Sequence, residues 1–302
     1  MKQIASILLL AGLWLTLQSS SPDAEGEPEC LRVMSYNIRL GVADDGTNSW
    51  PNRREATGAM LDCVQPDIFG VQEAYDFQVR YITLNCPRYR CVGVGREDGL
   101  SAGEHMSVFY DTASIQLLAW GNYWLSETPD APSLGWDARC KRTATWTHLR
   151  HIPSGCTFYY VNTHLDHIGV IARQRGLMLI YDSIRAMNPD SEPMILTGDF
   201  NVLPDNDNLK VLDGLMLSAR ATAEDRDTIG SFNGFGLYAR SAAAPTLGAG
   251  INPDDLKALD YIYYHSMGRC ERFCVDTTTY IGIPFISDHY PVWADFNLSD
   301  EE

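Results

Sequence analysis

The chain has 302 residues, 45% of them hydrophobic, 21% charged and 11% aromatic, a mix that excludes intrinsic disorder, collagen and coiled coil. With 23 Lys+Arg against 39 Asp+Glu the formal net charge is −16, which disfavours a surface built to hold a long polyanion. A phosphate-bearing substrate stays open, because a bound divalent cation reverses the sign locally.

The N-terminus reads as a leader. Lys2 is the only charge before Asp23, Ile4–Leu17 is apolar and leucine-rich, and Ser19, Ser20 and Ser21 follow as small residues. That apolar run is short of the roughly 20 residues a spanning helix needs. A signal peptide is therefore expected over 1–22, and with it an exported protein, periplasmic or secreted; an uncleaved anchor is the rival reading. All eight cysteines (Cys30, Cys63, Cys86, Cys91, Cys140, Cys156, Cys270 and Cys274) come later. An even count in an exported chain predicts some disulfides, with Cys86/Cys91 and Cys270/Cys274 spaced as local staples. Without a CxxC pair or clustered Cys and His, a structural zinc site is disfavoured.

Hydrophobic alternation predicts strands at Leu31–Leu40, Asp67–Val71, Tyr89–Gly95, Met106–Tyr110, Ile115–Leu125, Thr143–Arg150, Thr157–His164, Met194–Asp199, Leu259–His265 and Pro291–Phe296. Helical spacing predicts helices near 53–64, 75–84, 168–187 and 207–217. Residues 219–258 are Gly/Ala-rich and irregular, as a substrate-facing loop would be. No linker or repeat interrupts the series, which argues one α/β domain over 30–298 with a short acidic tail at 299–302. Successive apolar residues such as Met194, Ile195 and Leu196 suit strands covered on both faces, hence two packed sheets with helices outside.

Polar residues stand at the ends of six of these strands: Ser35-Tyr36-Asn37, Val71-Gln72-Glu73, Asn162-Thr163-His164, Gly198-Asp199-Phe200-Asn201, Leu259-Asp260-Tyr261 and Ser287-Asp288-His289. One such case is an ordinary turn or cap; six together place chemistry at one edge of a sheet. Amide and carboxylate oxygens without thiolates suit a hard cation, Mg²⁺ before Mn²⁺ or Ca²⁺. Two histidines with carboxylates in reach add acid–base groups and charge neutralisation. A hard cation with paired His and Asp describes phosphoester hydrolysis.

The order MSYN (to Asn37), QE (to Glu73), NTH (to His164), GDFN (to Asn201), LDYI (at Asp260) and SDHYPV (at His289) resembles the endonuclease/exonuclease/phosphatase superfamily. That superfamily includes pancreatic-type deoxyribonucleases, inositol polyphosphate 5-phosphatases and nocturnin-like deadenylases. The resemblance implies a four-layer α/β sandwich, two packed mixed β-sheets with helices on both outer faces. It also implies roles. Glu73 and Asn37 would hold the metal, with Asp288 a second ligand. Asp199 would orient or deprotonate the attacking water, Asn201 would help hold the phosphate, and His164 and His289 would face it. Asp260 would fix the His289 imidazole, and Glu104 would partner His164.

Two further residues stand out beside these. Arg142 closes the densest basic spot in an acidic chain, after Trp136 and Lys141, and could bind a second phosphate or a leaving group. Asn233, in Ser231–Phe235, lies where the superfamily often has a substrate-side loop. Asp166 and His167 follow His164 directly, where alternation along a strand points neighbours to opposite faces.

The reading is a metal-dependent hydrolase of a small phosphomonoester or phosphodiester outside the cytoplasm, with no protein partner implied. A secreted nuclease is the runner-up, and a catalytically silent binding module on the same fold is the rival from another class. A two-carboxylate glycosidase would not need Asn37, Asn201 and the paired histidines.

Overall fold

A computed structural model describes residues 30–239 and 256–299. The expected signal peptide, the end of the acidic tail and part of the irregular 219–258 region lie outside the described residues.

Fifteen strands, numbered in chain order, make up the sheets of the described chain. The first sheet runs β12 (Asp225–Arg226), β14 (Arg269–Val275), β15 (Val292–Asn297), β1 (Cys30–Asn37), β2 (Ile68–Gln72), β6 (Val108–Asp111) and β4 (Tyr89–Val92). The second runs β11 (Leu217–Ser218), β13 (Asp260–His265), β10 (Met194–Asp199), β9 (Thr157–His164), β8 (Thr143–His151) and β7 (Ile115–Trp124). A short ladder pairs β3 (Ala74–Tyr75) with β5 (Glu104–His105). Parallel and antiparallel pairs mix in both large sheets.

The layers follow from period two along each strand. On β1, Leu31 and Val33 pack inward with Phe158, Tyr160 and Ile195 of the second sheet. Met34 and Tyr36, one residue out of phase, face outward onto helix α1 (Trp50–Val64) and helix α2 (Asp76–Asn85). The second sheet does the same: Val161 and Leu196 face outward and meet Leu177, Ile180 and Ile184 of helix α3 (Val170–Met187). The result is the expected four-layer sandwich, helix–sheet–sheet–helix.

Polar side chains stitch the sheets near the end where the site lies. Gln72 Nε2 donates to Asn162 Oδ1 at 2.6 Å, and Asn162 Nδ2 donates to the Val71 carbonyl at 2.8 Å. Gly70 permits this approach: a Cβ there would stand 2.3 Å from Asn162 Cγ.

The structure departs from expectation in three places. Strand β14 was not foreseen, because a bulge between Cys270 and Arg272 breaks its alternation and sets charges on its exposed positions. The helix expected at 207–217 is a 3₁₀ turn at Asp207–Leu212, capped by Asn206, in which the three-residue period keeps Leu209 and Leu212 on one buried face. The expected disulfides are not seen: among the described residues no cysteine pair is bridged. Cys270 and Cys274 sit on one extended strand, so their Cα atoms are separated by about 13 Å, and a disulfide requires less than about 7 Å. Among the described residues no helix is long and apolar enough to cross a membrane.

Candidate active site

Strand direction gathers the chemistry. β1 and β2 run parallel and in register to Asn37 and Gln72, so Glu73 follows at the same edge. β9 and β10 are likewise parallel, with His164 opposite Asp199. β13 runs antiparallel to β10 and contributes its first residue, Asp260, opposite the same Asp199. Three strand ends from the second sheet therefore meet two from the first.

Asn37 is the bridge. Its Nδ2 donates to Glu73 Oε1 at 3.1 Å and to Asp199 Oδ2 at 2.9 Å. Its Oδ1 accepts from the Arg39 amide, and Glu73 Oε2 accepts from the Leu40 amide. Asp199 Oδ1 is held by the Asn201 amide at 2.9 Å. Glu73, Asn201 and Arg39 all sit at positive φ (62°, 55° and 61°), a sparsely populated region for such residues that concentrates at functional sites.

The two histidines are held in different charge states. His289 Nδ1 stands 2.7 Å from Asp260 Oδ2, and its Nε2 lies 3.8 Å from Asp199 Oδ2. Burial alone would lower the His289 pKa, but Asp260 in contact, then Asp199 and Asp288, outweigh it and push it up to about 10. His164 goes the other way: burial, Arg142, Arg96 and His289 push it well below its ordinary value. Asn201 Nδ2 donates both to the Leu165 carbonyl and to His164 Nε2 at 2.8 Å, which assigns the His164 proton to Nδ1. Asp199 is pushed up to about 7, by burial first, with the His289 charge opposing.

At these strand ends two donor sets lie close enough to share a cation: Glu73, His164 and Asp199, and Asp199, Asp260 and His289, each with its ligand atoms within 4.8 Å of one another; a third, Cys140, Asp166 and His167, lies on the Arg142 side. Asp199 belongs to both strand-end sets. Carboxylate oxygens dominate the two strand-end sets and neither contains a thiol, so those residues fit a hard divalent cation.

Around this centre the other expected residues take distinct places. Asp288 is 3.5 Å from Arg39 Nη1 and accepts from Ser287 Oγ, outside both donor sets. Glu104 is buried and bound by Arg96 Nη1 at 2.6 Å; it lies 3.9 Å from His164 Nδ1, an ion-pair distance without a hydrogen bond. Arg142 is also buried, with Nη2 3.2 Å from His167 Nδ1, Nε 3.6 Å from Asp166 and Nη1 3.9 Å from Glu104. Its Nε and Nη1 make no hydrogen bond, an arrangement that leaves donors for an anion. Asn233 is a fastener: its amide donates to the Asp288 carbonyl, its Nδ2 to the Ser287 carbonyl, and its Oδ1 accepts from Phe235.

Two arginines escaped the sequence reading. Arg39 reaches Asp45 and Asp288 together; its signal was a cation two residues after Asn37. Arg53 is fully buried on α1 and donates to four backbone carbonyls, those of Ile38, Arg39, Asn48 and Ile286. It ties the loop after Asn37 to the segment before Asp288, and nothing in helical spacing marks that role.

Known proteins share this architecture. The chain has 32% identity to a mannosyl-6-phosphatase from Bacteroides thetaiotaomicron, covering 87% of this chain and 98% of that one with a TM-score of 0.78. A second Bacteroides thetaiotaomicron protein, described as an endonuclease/exonuclease/phosphatase family protein, is 31% identical over 91% of this chain and all of its own, TM-score 0.81. The human Nocturnin catalytic domain, at 19% identity over 89% and 93% of the two chains and TM-score 0.65, shares the fold. The model of the Endonuclease/Exonuclease/phosphatase family matches residues 34–289. The chain belongs to that family and is a divalent-metal-dependent phosphoesterase.

Proposed function

We propose that this protein is a Mg²⁺-dependent phosphomonoesterase that removes phosphate from a small phosphorylated sugar or polyol outside the cytoplasm. The carrying observation is the unbroken run of contacts Glu73–Asn37–Asp199–His289–Asp260, which sets a base, a cation and metal donors around one point. The 32% identity to a mannosyl-6-phosphatase supports a sugar phosphate over other small esters. The −16 charge speaks against a polynucleotide. The leader-like N-terminus supports export.

In this reading Glu73 would hold the ion, and Asn37, whose Nδ2 donates to both Glu73 and Asp199, spaces the carboxylates around it; Asp288 lies beyond, beside Arg39. When bound, Mg²⁺ supplies positive charge to the phosphoryl oxygens. Asp199, held by the Asn37 and Asn201 amides, accepts the proton of the attacking water. His289 is a protonated imidazole whose Nε2 faces the same point; it steadies the charge that builds on phosphorus oxygens, and Asp260 keeps it oriented. His164, neutral, is aligned by Asn201, whose Nδ2 is committed to His164 Nε2 and the Leu165 carbonyl. Arg142 offers the phosphoryl group its Nε and Nη1, which stand at ion-pair distance from Asp166 and Glu104 without a hydrogen bond.

The test is a panel of mannose 6-phosphate, glucose 6-phosphate, p-nitrophenyl phosphate, bis-p-nitrophenyl phosphate and single- and double-stranded DNA, each with Mg²⁺ and with EDTA. Chelator-sensitive phosphate release confined to the sugar phosphates and p-nitrophenyl phosphate is expected. Efficient DNA cleavage would transfer the assignment to a nuclease, and silence across the panel would support a binding module.

A further inference from the structure

Beside the site a groove of about 380 Å³ opens directly from Asn201, large enough for one sugar-sized group. Arg173, in the first turns of α3, lines it, and also lines an adjoining hollow of about 310 Å³ toward Val170 and Asn208. Arg173 is only 8% exposed. Its Nη1 donates to the Asp166 carbonyl at 2.8 Å and its Nε reaches Asn208 Oδ1 at 3.5 Å, both neutral acceptors.

Among the described residues Nη2 of Arg173 has no hydrogen bond, and the guanidinium has no ion pair. A buried charge with no carboxylate in contact is disfavoured, and proteins ordinarily pair such groups directly. Burial pulls this guanidinium below its ordinary pKa, with the Asp166 and Asp137 carboxylates opposing. Asp166 and Asp137 act on the charge without contacting it, so an anion in the groove that Arg173 lines would be the first to bind it directly.

Position connects this cation to the scissile phosphate. Asn201 holds the Leu165 carbonyl and Arg173 holds the next one, Asp166. The two side chains thus sit on successive peptide units immediately after His164. Lys257, exposed and without an ion pair among the described residues, adds a second cation to the same groove; Leu203 supplies apolar wall, and exposed Asp205 is the one acidic side chain in the lining.

We propose that the groove between Asn201, Arg173 and Lys257 is a second anion subsite, and that the substrate is a sugar or polyol phosphate carrying a further carboxylate or phosphate. This inference rests on the phosphomonoesterase reading and narrows its substrate. The second anion is recognised through charge-assisted hydrogen bonds from Arg173 Nη2 and from the Lys257 ammonium.

The test uses matched substrates with the mature protein and Mg²⁺: glucitol 6-phosphate against 6-phosphogluconate, which differ by one terminal carboxylate, and glucose 6-phosphate against glucose 1,6-bisphosphate. One or both doubly anionic substrates should show kcat/KM higher by about tenfold or more, chiefly through KM; which pair responds distinguishes carboxylate from phosphate. The Arg173→Gln and Lys257→Met variants should each reduce that ratio. A structural role would lower both members of a pair by the same factor, leave the ratio unchanged, and overturn the proposal. So would equal kcat/KM within both pairs of the wild type, a result that needs no variant to fold. Turnover of p-nitrophenyl phosphate with equal rates on the pairs removes the subsite and leaves the phosphomonoesterase standing. No turnover of any monoester removes both.

Discussion

Asn37 Nδ2 donates to Asp199 Oδ2 at 2.9 Å, joining the end of β1 in one sheet to the end of β10 in the other. The same nitrogen contacts Glu73 at 3.1 Å. One amide therefore sets the separation between the proposed metal carboxylate and the proposed base. A shift of one sheet against the other would break this contact before it disturbed either sheet, so catalysis reports on inter-sheet register.

Asp199→Asn keeps the size and an acceptor for Asn37 but removes the base. Phosphate release should fall by about a hundredfold or more while the fold persists by circular dichroism. Retention of more than about a tenth of the rate would take Asp199 out of the mechanism.

His289→Ala and Asp260→Asn should not add. The pair shares a 2.7 Å contact and acts as one unit, so the double variant should be little worse than the poorer single one. Multiplicative losses in the cycle would refute the coupling.

Acid should act through Asp166. Burial raises this carboxyl, but the amides of Gly169, Ile168 and Arg139, with Arg142 beyond them, hold it well below the usual carboxylate range. A depressed folded pKa contributes stability that is present above the unfolded value, near 3.8, and is lost as pH falls below it. Urea unfolding of Asp166→Asn should therefore show a deficit at pH 7 that narrows toward pH 3. A deficit of equal size at both would contradict the assignment.

Arg53→Met should destabilise the chain by about 3 kcal/mol or more, because it strips four buried carbonyls of their donor. Chemical denaturation measures this; a change within about 0.5 kcal/mol would show that the carbonyls find other partners.

Much of this was legible in the sequence, for identifiable reasons. Strand ends at Asn37, His164 and Asp199 were visible because an apolar alternation stopped at a polar residue, and parallel register then placed them together. The layer order followed from runs such as Met194–Ile195–Leu196. What stayed hidden depended on contacts remote in sequence or on broken periods. Strand β14 was masked by its bulge, and Arg53 serves carbonyls supplied by three separate segments. Arg173 read as one more polar position on a good amphipathic helix, and only the fold shows it buried beside Asn201. Disulfides were inferred from count and compartment, whereas strand geometry separates Cys270 from Cys274.

The central claim is metal-dependent attack of water on phosphorus. Its most direct test is hydrolysis of mannose 6-phosphate in ¹⁸O-labelled water by chelator-stripped protein, before and after Mg²⁺ is restored. The account predicts no release before, restored release after, and the label in the phosphate. Release indifferent to the chelator, or label in the sugar, would contradict it.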